Sequence, residues 1–202
     1  MSISKYNSLN GERLVKNLIS RNMEAYYCDN KESALKKIMD LVPEKSSISF
    51  GGSVTLNEIG VVDKFSEGDF EVLDRSKVKK EETDKLYHDA LNVDYYLMST
   101  NAMTIDGKLV NIDGNGNRLA AMIYGPKNVI VVAGMNKLEF DEESAIKRAR
   151  NVAAPKNVMR LDKNTPCHAM GQCQDCKSED CICCQILITR FSRVKNRIKV
   201  IL

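Results

Sequence analysis

Three short stretches of this chain bring glycine together with small polar side chains, and two of them add a cation. They are Gly51, Gly52, Ser53 and Thr55 with Glu58 behind them; Asp113, Gly116, Asn117 and Arg118; and Gly134, Asn136 and Lys137. Glycine lets backbone N–H groups approach an oxygen ligand closely, and a helix start behind such a loop adds partial positive charge. The chemistry expected there is recognition of a carboxylate or a phosphate. Each loop also has a plainer reading. Thr55 and Glu58 fit a capping box, satisfying each other's backbone donors. Arg118 stands in the first turn of a helix, where the macrodipole is already positive. Either Asp113 neutralises it, or a bound anion takes its guanidinium fork. Lys137 follows a buried strand directly and can equally be a solvated helix-start residue. Glu58 is the candidate for acid or base work. Taken together, the three loops predict one concave pocket that tolerates anions.

A second anomaly is compositional. Six of the seven cysteines lie between Cys167 and Cys184. Their spacing offers thiolates to a tetrahedral zinc or an iron–sulfur cluster, although it is neither a ribbon-type zinc pattern nor a ferredoxin run. Reduced structural thiols and a redox disulfide pair are the alternatives. Strand periodicity sets Cys183 and Cys184 on opposite faces, so one of them should meet the core. The two histidines add little: His88 reads as a surface or boundary residue, and His168 as a ligand or bystander in the cysteine segment. No Ser-His-Asp arrangement is visible, which leaves nucleophilic hydrolysis without support.

These loops need elements to hold them. Residues 8–22 carry Leu14, Val15, Leu18 and Ile19 on one helical stripe, and residues 23–28 follow as a strand. Asn30 or Ser33 can cap a helix with Ala34, Leu35, Ile38, Leu41 and Val42 on one face, ended by Pro43. SISF is a strand, a helix opens at about Thr55, Phe70–Leu73 is a strand, and Leu86, Tyr87, Ala90 and Leu91 mark a helix before the strand YYLMST. This alternation predicts a three-layer α/β architecture with an open, mostly parallel sheet. Asp106-Gly107 between two β-rich runs predicts an antiparallel hairpin. Asn117–Tyr124 reads as a helix stopped by Gly125-Pro126, and NVIVVAG as a buried strand. Asp141 caps a helix that turns Ala145, Ile146, Ala149, Val152 and Ala153 inward and that Pro155 ends. CQILITR and RIKVIL are two closing strands around a basic turn.

The chain has 202 residues, with 30 basic and 27 acidic side chains. That length suits a single domain, 1–202, with the cysteine-rich segment 165–184 inside it. No apolar run reaches membrane-spanning length and the N-terminus lacks the apolar stretch of a signal peptide, so no membrane association and a cytoplasmic location are expected. Five basic residues and no acidic one lie between Gln185 and Leu202. Nucleic acid is nonetheless disfavoured, because the charge is modest and only Phe191 interleaves it.

The chain resembles the LUD-domain family, the proteins associated with lactate utilisation. The resemblance is carried by GGSVTLNEIG (51–60), STNAMTIDGKLVNIDGNGNR (99–118), YGPKNVIVVAGMNKL (124–138), RARNVAAPKN (148–157) and TPCHAMGQCQDC followed by ICC (165–184). It implies the fold shared by sugar-phosphate isomerases and coenzyme A transferases. It also implies that Asn101, Thr104 and Asp106 join the loop residues above as recurrent positions, and that Cys167, Cys173, Cys176 and Cys183 form the C-terminal pattern. Cys181 and Cys184 stand where the family is expected to carry a basic residue and an asparagine. The implied role is binding of a small anionic metabolite in lactate or 2-hydroxy-acid oxidation to pyruvate, beside iron–sulfur redox partner proteins. The alternative is a non-catalytic module carrying zinc or an iron–sulfur cluster for electron transfer, and a homo-oligomer is compatible with either.

Overall fold

The structure, a computed structural model, describes residues 3–202. Its larger sheet has six strands, all paired in parallel: β1 (Glu24–Tyr26), β2 (Ser47–Phe50), β3 (Glu71–Leu73), β4 (Tyr95–Met98), β7 (Asn128–Val132) and β10 (Ile198–Ile201), in the order β1-β10-β7-β4-β2-β3. The smaller sheet holds β5 (Ala102–Thr104), β6 (Leu109–Asp113), β8 (Leu138–Glu139) and β9 (Gln185–Thr189), in the order β8-β5-β6-β9. The Asp106-Gly107 hairpin joins β5 to β6 as expected, with Ala102 opposite Val110. Gly107 is in the left-handed region at φ 91, and a Cβ there would sit 2.9 Å from the backbone of Asn17. That double constraint makes glycine necessary at the hairpin tip.

Parallel strands covered on both faces are apolar on both. In β7, Val129 and Val131 face one layer while Ile130 and Val132 face the other. The first layer contains α1 (Ile3–Ser20), which buries Leu14 and Leu18, and, further along the chain, α6, which spans Asn117–Tyr124 as the sequence predicts. The opposite layer contains α2 (Lys31–Leu41), α3 (Val54–Glu58) and α4 (Val61–Glu67), burying Ile38, Leu56 and Phe65. A capping box of Asn30 and Ser33 opens α2. The three-layer α/β reading therefore holds. α5 (Thr83–Asp89) precedes β4, and α9 (Pro166–Met170) opens the cysteine segment. No described helix is long and apolar enough to cross a membrane.

Three local expectations are corrected. First, α1 begins at Ile3 rather than near residue 8, and its Ile19 is exposed rather than part of the inward stripe. Secondly, the helix opening near Thr55 is two helices, broken where Gly60 turns left-handed at φ 71. Ser53, not Thr55, caps the first, its Oγ accepting from Leu56 N at 3.3 Å. Thirdly, Pro155 does not end the helix that Asp141 caps. α7 (Glu142–Arg148) passes through a π-helical turn, Ala149–Ala153, into α8 (Ala154–Arg160), which carries Pro155 in its first turn. A π-turn widens the ring ahead of the proline, so the missing N–H and the bulky pyrrolidine are absorbed without a break. One consequence is that Val152, expected to face inward, is exposed.

Candidate functional site

Ligands of open parallel sheets collect outside the carboxyl ends of the strands. A cavity of about 1000 Å³ lies there, lined by residues that follow β1, β2, β3, β4, β7 and β10. Of the sequence-predicted residues, Gly52, Ser53, Thr55, Glu58, Asn101 and Asp113 line it, as do Asn117, Arg118, Gly134, Asn136 and Lys137. Gly51 stands just behind the wall, where a Cβ would come within 3.0 Å of Arg118 Cδ. The first and second loops thus meet because a glycine leaves space for an arginine stem. Thr104 is fully buried away from the cavity, donating to the Asp106 carboxylate and accepting from Lys108 N at 2.9 Å. Asp106 in turn pairs with Arg21 at 2.7 Å, so these two residues knit the hairpin to α1. Gly116 is outside as well, as the left-handed N-cap of α6 at φ 83.

Arg118 is spent on the protein itself. Its Nη1 donates to Ser99 O and Asn111 Oδ1, both at 3.1 Å, and its Nη2 donates to Ile112 O and Asn101 Oδ1. Its Nε lies 3.7 Å from Asp113 Oδ2, an oxygen that is buried and has no hydrogen-bond partner. The guanidinium therefore ties β6, the end of β4 and the loop before α6 into one wall. Arg148, from α7, does similar work, donating to Asn101 O and to Asn136 O at 3.0 Å, with Glu139 3.8 Å away. Burial holds its guanidinium below the ordinary arginine range.

Lys137 differs from both. Its ammonium donates to Ser99 Oγ at 2.6 Å and to Thr55 Oγ1 at 3.3 Å. Thr55 is free to accept because Ser53 has taken over the cap. No carboxylate pairs with Lys137 among the described residues; Glu58, exposed in the same wall, pairs with Lys31 at 3.5 Å. Burial first, then the charges of Arg148 and Arg118, against a weaker opposing pull from Glu58, together lower the Lys137 pKa from 10.5 to about 8. The group is thus a cation near neutral pH that loses its proton just above it. Ser99 donates its own hydroxyl to Val132 O at 2.6 Å, which fixes it as an acceptor for the lysine.

The wall as a whole carries eight basic side chains (Lys31, Arg75, Arg118, Lys137, Arg148, Lys156, Arg160 and Lys163) against three acidic ones (Asp29, Glu58 and Asp113). An excess of one sign inside a concave, partly desolvated surface focuses the field and concentrates counter-ions. Arg75, Lys156, Arg160 and Lys163 were not among the sequence candidates. Arg75 lies close over Gly52, where a Cβ would come within 3.2 Å of its Nη2. Lys156 and Arg160 are spaced by one helical turn, a signal that becomes readable only once the helix is known to continue past Pro155.

The cysteine segment is gathered but loosely built. Cys167 is buried, its Sγ 3.3 Å from Thr165 Oγ1; Cys173 Sγ accepts from Arg150 Nη2 at 3.6 Å; Cys176 Sγ is 3.4 Å from Ser178 Oγ. Cys183 packs against the core of the smaller sheet, while its neighbour Cys184 is exposed, matching the expected division between faces. Burial, and then the nearby Cys181, Cys173 and Cys167, raise the Cys183 pKa to about 12. All seven thiols are free, and among the described residues no three His, Cys, Asp or Glu side chains form a group able to hold a metal ion. The arrangement of the described residues in this structure does not fit a zinc or cluster site.

Among solved structures, a DUF162 family protein from Deinococcus radiodurans shares the fold, with a TM-score of 0.56, 12% identity and 96% of each chain covered. Ribose 5-phosphate isomerase from Plasmodium falciparum overlaps 55% of this chain and 52% of its own length, at 18% identity and a TM-score of 0.36. The eIF2B beta subunit from Chaetomium thermophilum overlaps 56% and 44%, at 13% identity and a TM-score of 0.40. No curated protein matches the chain. A model of the LUD domain matches residues 11–202, nearly the whole sequence, and the chain belongs to that family.

Proposed function

We propose that the cavity binds a small 2-hydroxy or 2-oxo acid, with the acid's carboxylate on Lys137, and that the protein serves lactate-type metabolism. The observation that carries this reading is Lys137: a largely buried ammonium with hydroxyl acceptors but no carboxylate partner among the described residues, in a wall where the other deep cations, Arg118 and Arg148, are already occupied by protein oxygens. A carboxylate ligand would supply the missing counter-charge and gain a charge-assisted hydrogen bond. Because its pKa is near 8, the same amine can also exchange a proton with a bound hydroxyl or carbonyl group near neutral pH. In this reading Glu58, which lines the same cavity, assists as a second acid or base once released from Lys31.

Titration of the purified protein with L-lactate and pyruvate, followed by ligand-observed NMR, tests the reading. Saturable binding that weakens as pH rises above 8 is expected, since the site loses its cation there while the acid stays ionised. Binding that is absent, or that is unchanged between pH 7 and 9.5, would refute it.

A second reading rests on the cysteine segment, where Cys183 feels the charge of Cys181, Cys173 and Cys167. In that reading the segment rearranges to take zinc or an iron–sulfur cluster and meets iron–sulfur partner proteins. Metal content and the ultraviolet–visible spectrum of protein purified without air decide it: a stoichiometric metal supports it, and a colourless, metal-free protein with seven titratable thiols ends it.

A further inference from the structure

The cavity is larger and more cationic than a three-carbon acid requires. Its volume of about 1000 Å³ is at the upper end of the range of roughly 300–1,000 Å³ typical of pockets for drug- and cofactor-sized ligands. Two of the lining cations, Lys156 and Arg160, belong to α8. Lys156 and Arg160 are one turn apart on the helix and both line the cavity. Lys156 has no ion pair or hydrogen bond with any described residue, and Arg160 has only the amide oxygen of Asn157, at 2.6 Å. Residues at this spacing have Cβ atoms about 5–6 Å apart, so the long, flexible ends of Lys156 and Arg160 can converge on one diphosphate, which relieves their mutual repulsion. Apolar surface lies beside them: Val152 and Leu161, each 38% exposed, and Ile182 line the same cavity. The π-turn and the uninterrupted helix through Pro155 carry Val152, Lys156 and Arg160, and Leu161 caps the helix end; Ile182 comes from the cysteine segment.

We propose that the α8 side of the cavity binds the diphosphate of a nucleoside-diphosphate ligand on Lys156 and Arg160, with the apolar residues beside them taking its organic portion. The proposal concerns the same cavity as the small-acid reading but uses different residues. Stabilising the last turn of α8 against its dipole is the competing explanation for Arg160. It predicts no ligand and a loss of stability on substitution.

Isothermal titration calorimetry of the full chain with ADP, inorganic pyrophosphate and adenosine tests the proposal. NAD and coenzyme A serve as further probes, because both carry the same diphosphate. ADP and pyrophosphate should bind saturably and more tightly than adenosine. The double variant Lys156→Ala/Arg160→Ala should lose about tenfold or more in ADP affinity, while its Tm stays within about 2 °C of the parent. Lys156→Arg/Arg160→Lys should restore binding. A preference for NAD or for coenzyme A over ADP identifies which ligand supplies the diphosphate. Absence of ADP and pyrophosphate binding, or equal ADP affinity in parent and double variant, overturns the proposal. The small-acid reading is tested independently by Lys137→Met, which should spare ADP binding. A parent that binds ADP through α8 but no lactate or pyruvate would leave this proposal standing and remove the other.

Discussion

Replacing Lys137 by methionine separates the cost of this residue to folding from its use in binding. Methionine keeps most of the stem's volume and removes the ammonium. That ammonium is largely buried, with no carboxylate paired to it among the described residues, and its pKa falls from 10.5 to about 8. The folded state therefore disfavours the charged form by about 3 kcal/mol at most, and by less once residual solvent screening is counted. The sign follows from the depressed pKa. Below pH 8 both folded and unfolded chains carry the proton and the penalty is fully present. Between about 8 and 10.5 the unfolded chain binds more protons, so stability rises with pH. Lys137→Met should thus leave stability unchanged or raise it. A net gain of about 1 kcal/mol corresponds to roughly 2–4 °C in Tm for a chain of this size. The hydroxyl of Ser99 remains satisfied through Val132 O, which limits the opposing loss. Small-acid affinity should fall by about 1.5–3 kcal/mol, roughly 10- to 150-fold, the worth of a hydrogen bond to a charged group. Differential scanning fluorimetry and the NMR titration read the two quantities on one sample. A variant that melts several degrees lower while binding lactate and pyruvate like the parent would make Lys137 a structural residue and refute the reasoning.

Arg118→Ala should be strongly destabilising, by about 3–5 kcal/mol, because it abandons Asp113 in the wall and frees four acceptors; thermal or urea unfolding checks this, and a neutral result would contradict the structural role given to the guanidinium. Gly107→Ala forces a left-handed residue against the backbone of Asn17 and should cost about 1–2 kcal/mol or more. A matching drop in Tm is expected; no drop would mean that the hairpin tip relaxes freely. Alkylation followed by mass spectrometry at pH 8 should modify exposed Cys184 well before Cys183, whose thiolate is suppressed by burial. Equal rates would indicate that the segment is open in solution.

The expectation of one anion-tolerant hollow survives as geometry, yet the residues carrying it changed. Gly52, Ser53, Asn101, Arg118 and Lys137 do converge, and the glycine at position 51 meets the Arg118 stem. Arg118 drew notice in the sequence as a cation at the wrong end of a helix. Its resolution is internal: the Asp113 carboxylate and four protein oxygens hold it. Arg75 was not legible at all, because it comes to the cavity from the segment after β3, next to a loop 23 residues earlier in the chain.

By itself the sequence determined what short-range physics controls. Apolar periodicity set the order of strands and helices, Asp106-Gly107 dictated the hairpin, and Gly125-Pro126 stopped α6 at Tyr124. Only the tertiary structure decided what depends on partners distant in the chain. The last strand, β10, lies between β1 and β7 through pairings that no local pattern encodes. Pro155 is accommodated by a π-turn in a packed helix rather than ending it. The Lys137 ammonium owes its properties to Thr55 and Ser99, which are 82 and 38 residues away along the chain, and to the burial that folding imposes. Desolvation and through-space charge act over ångströms in the folded protein, whatever the distance along the chain.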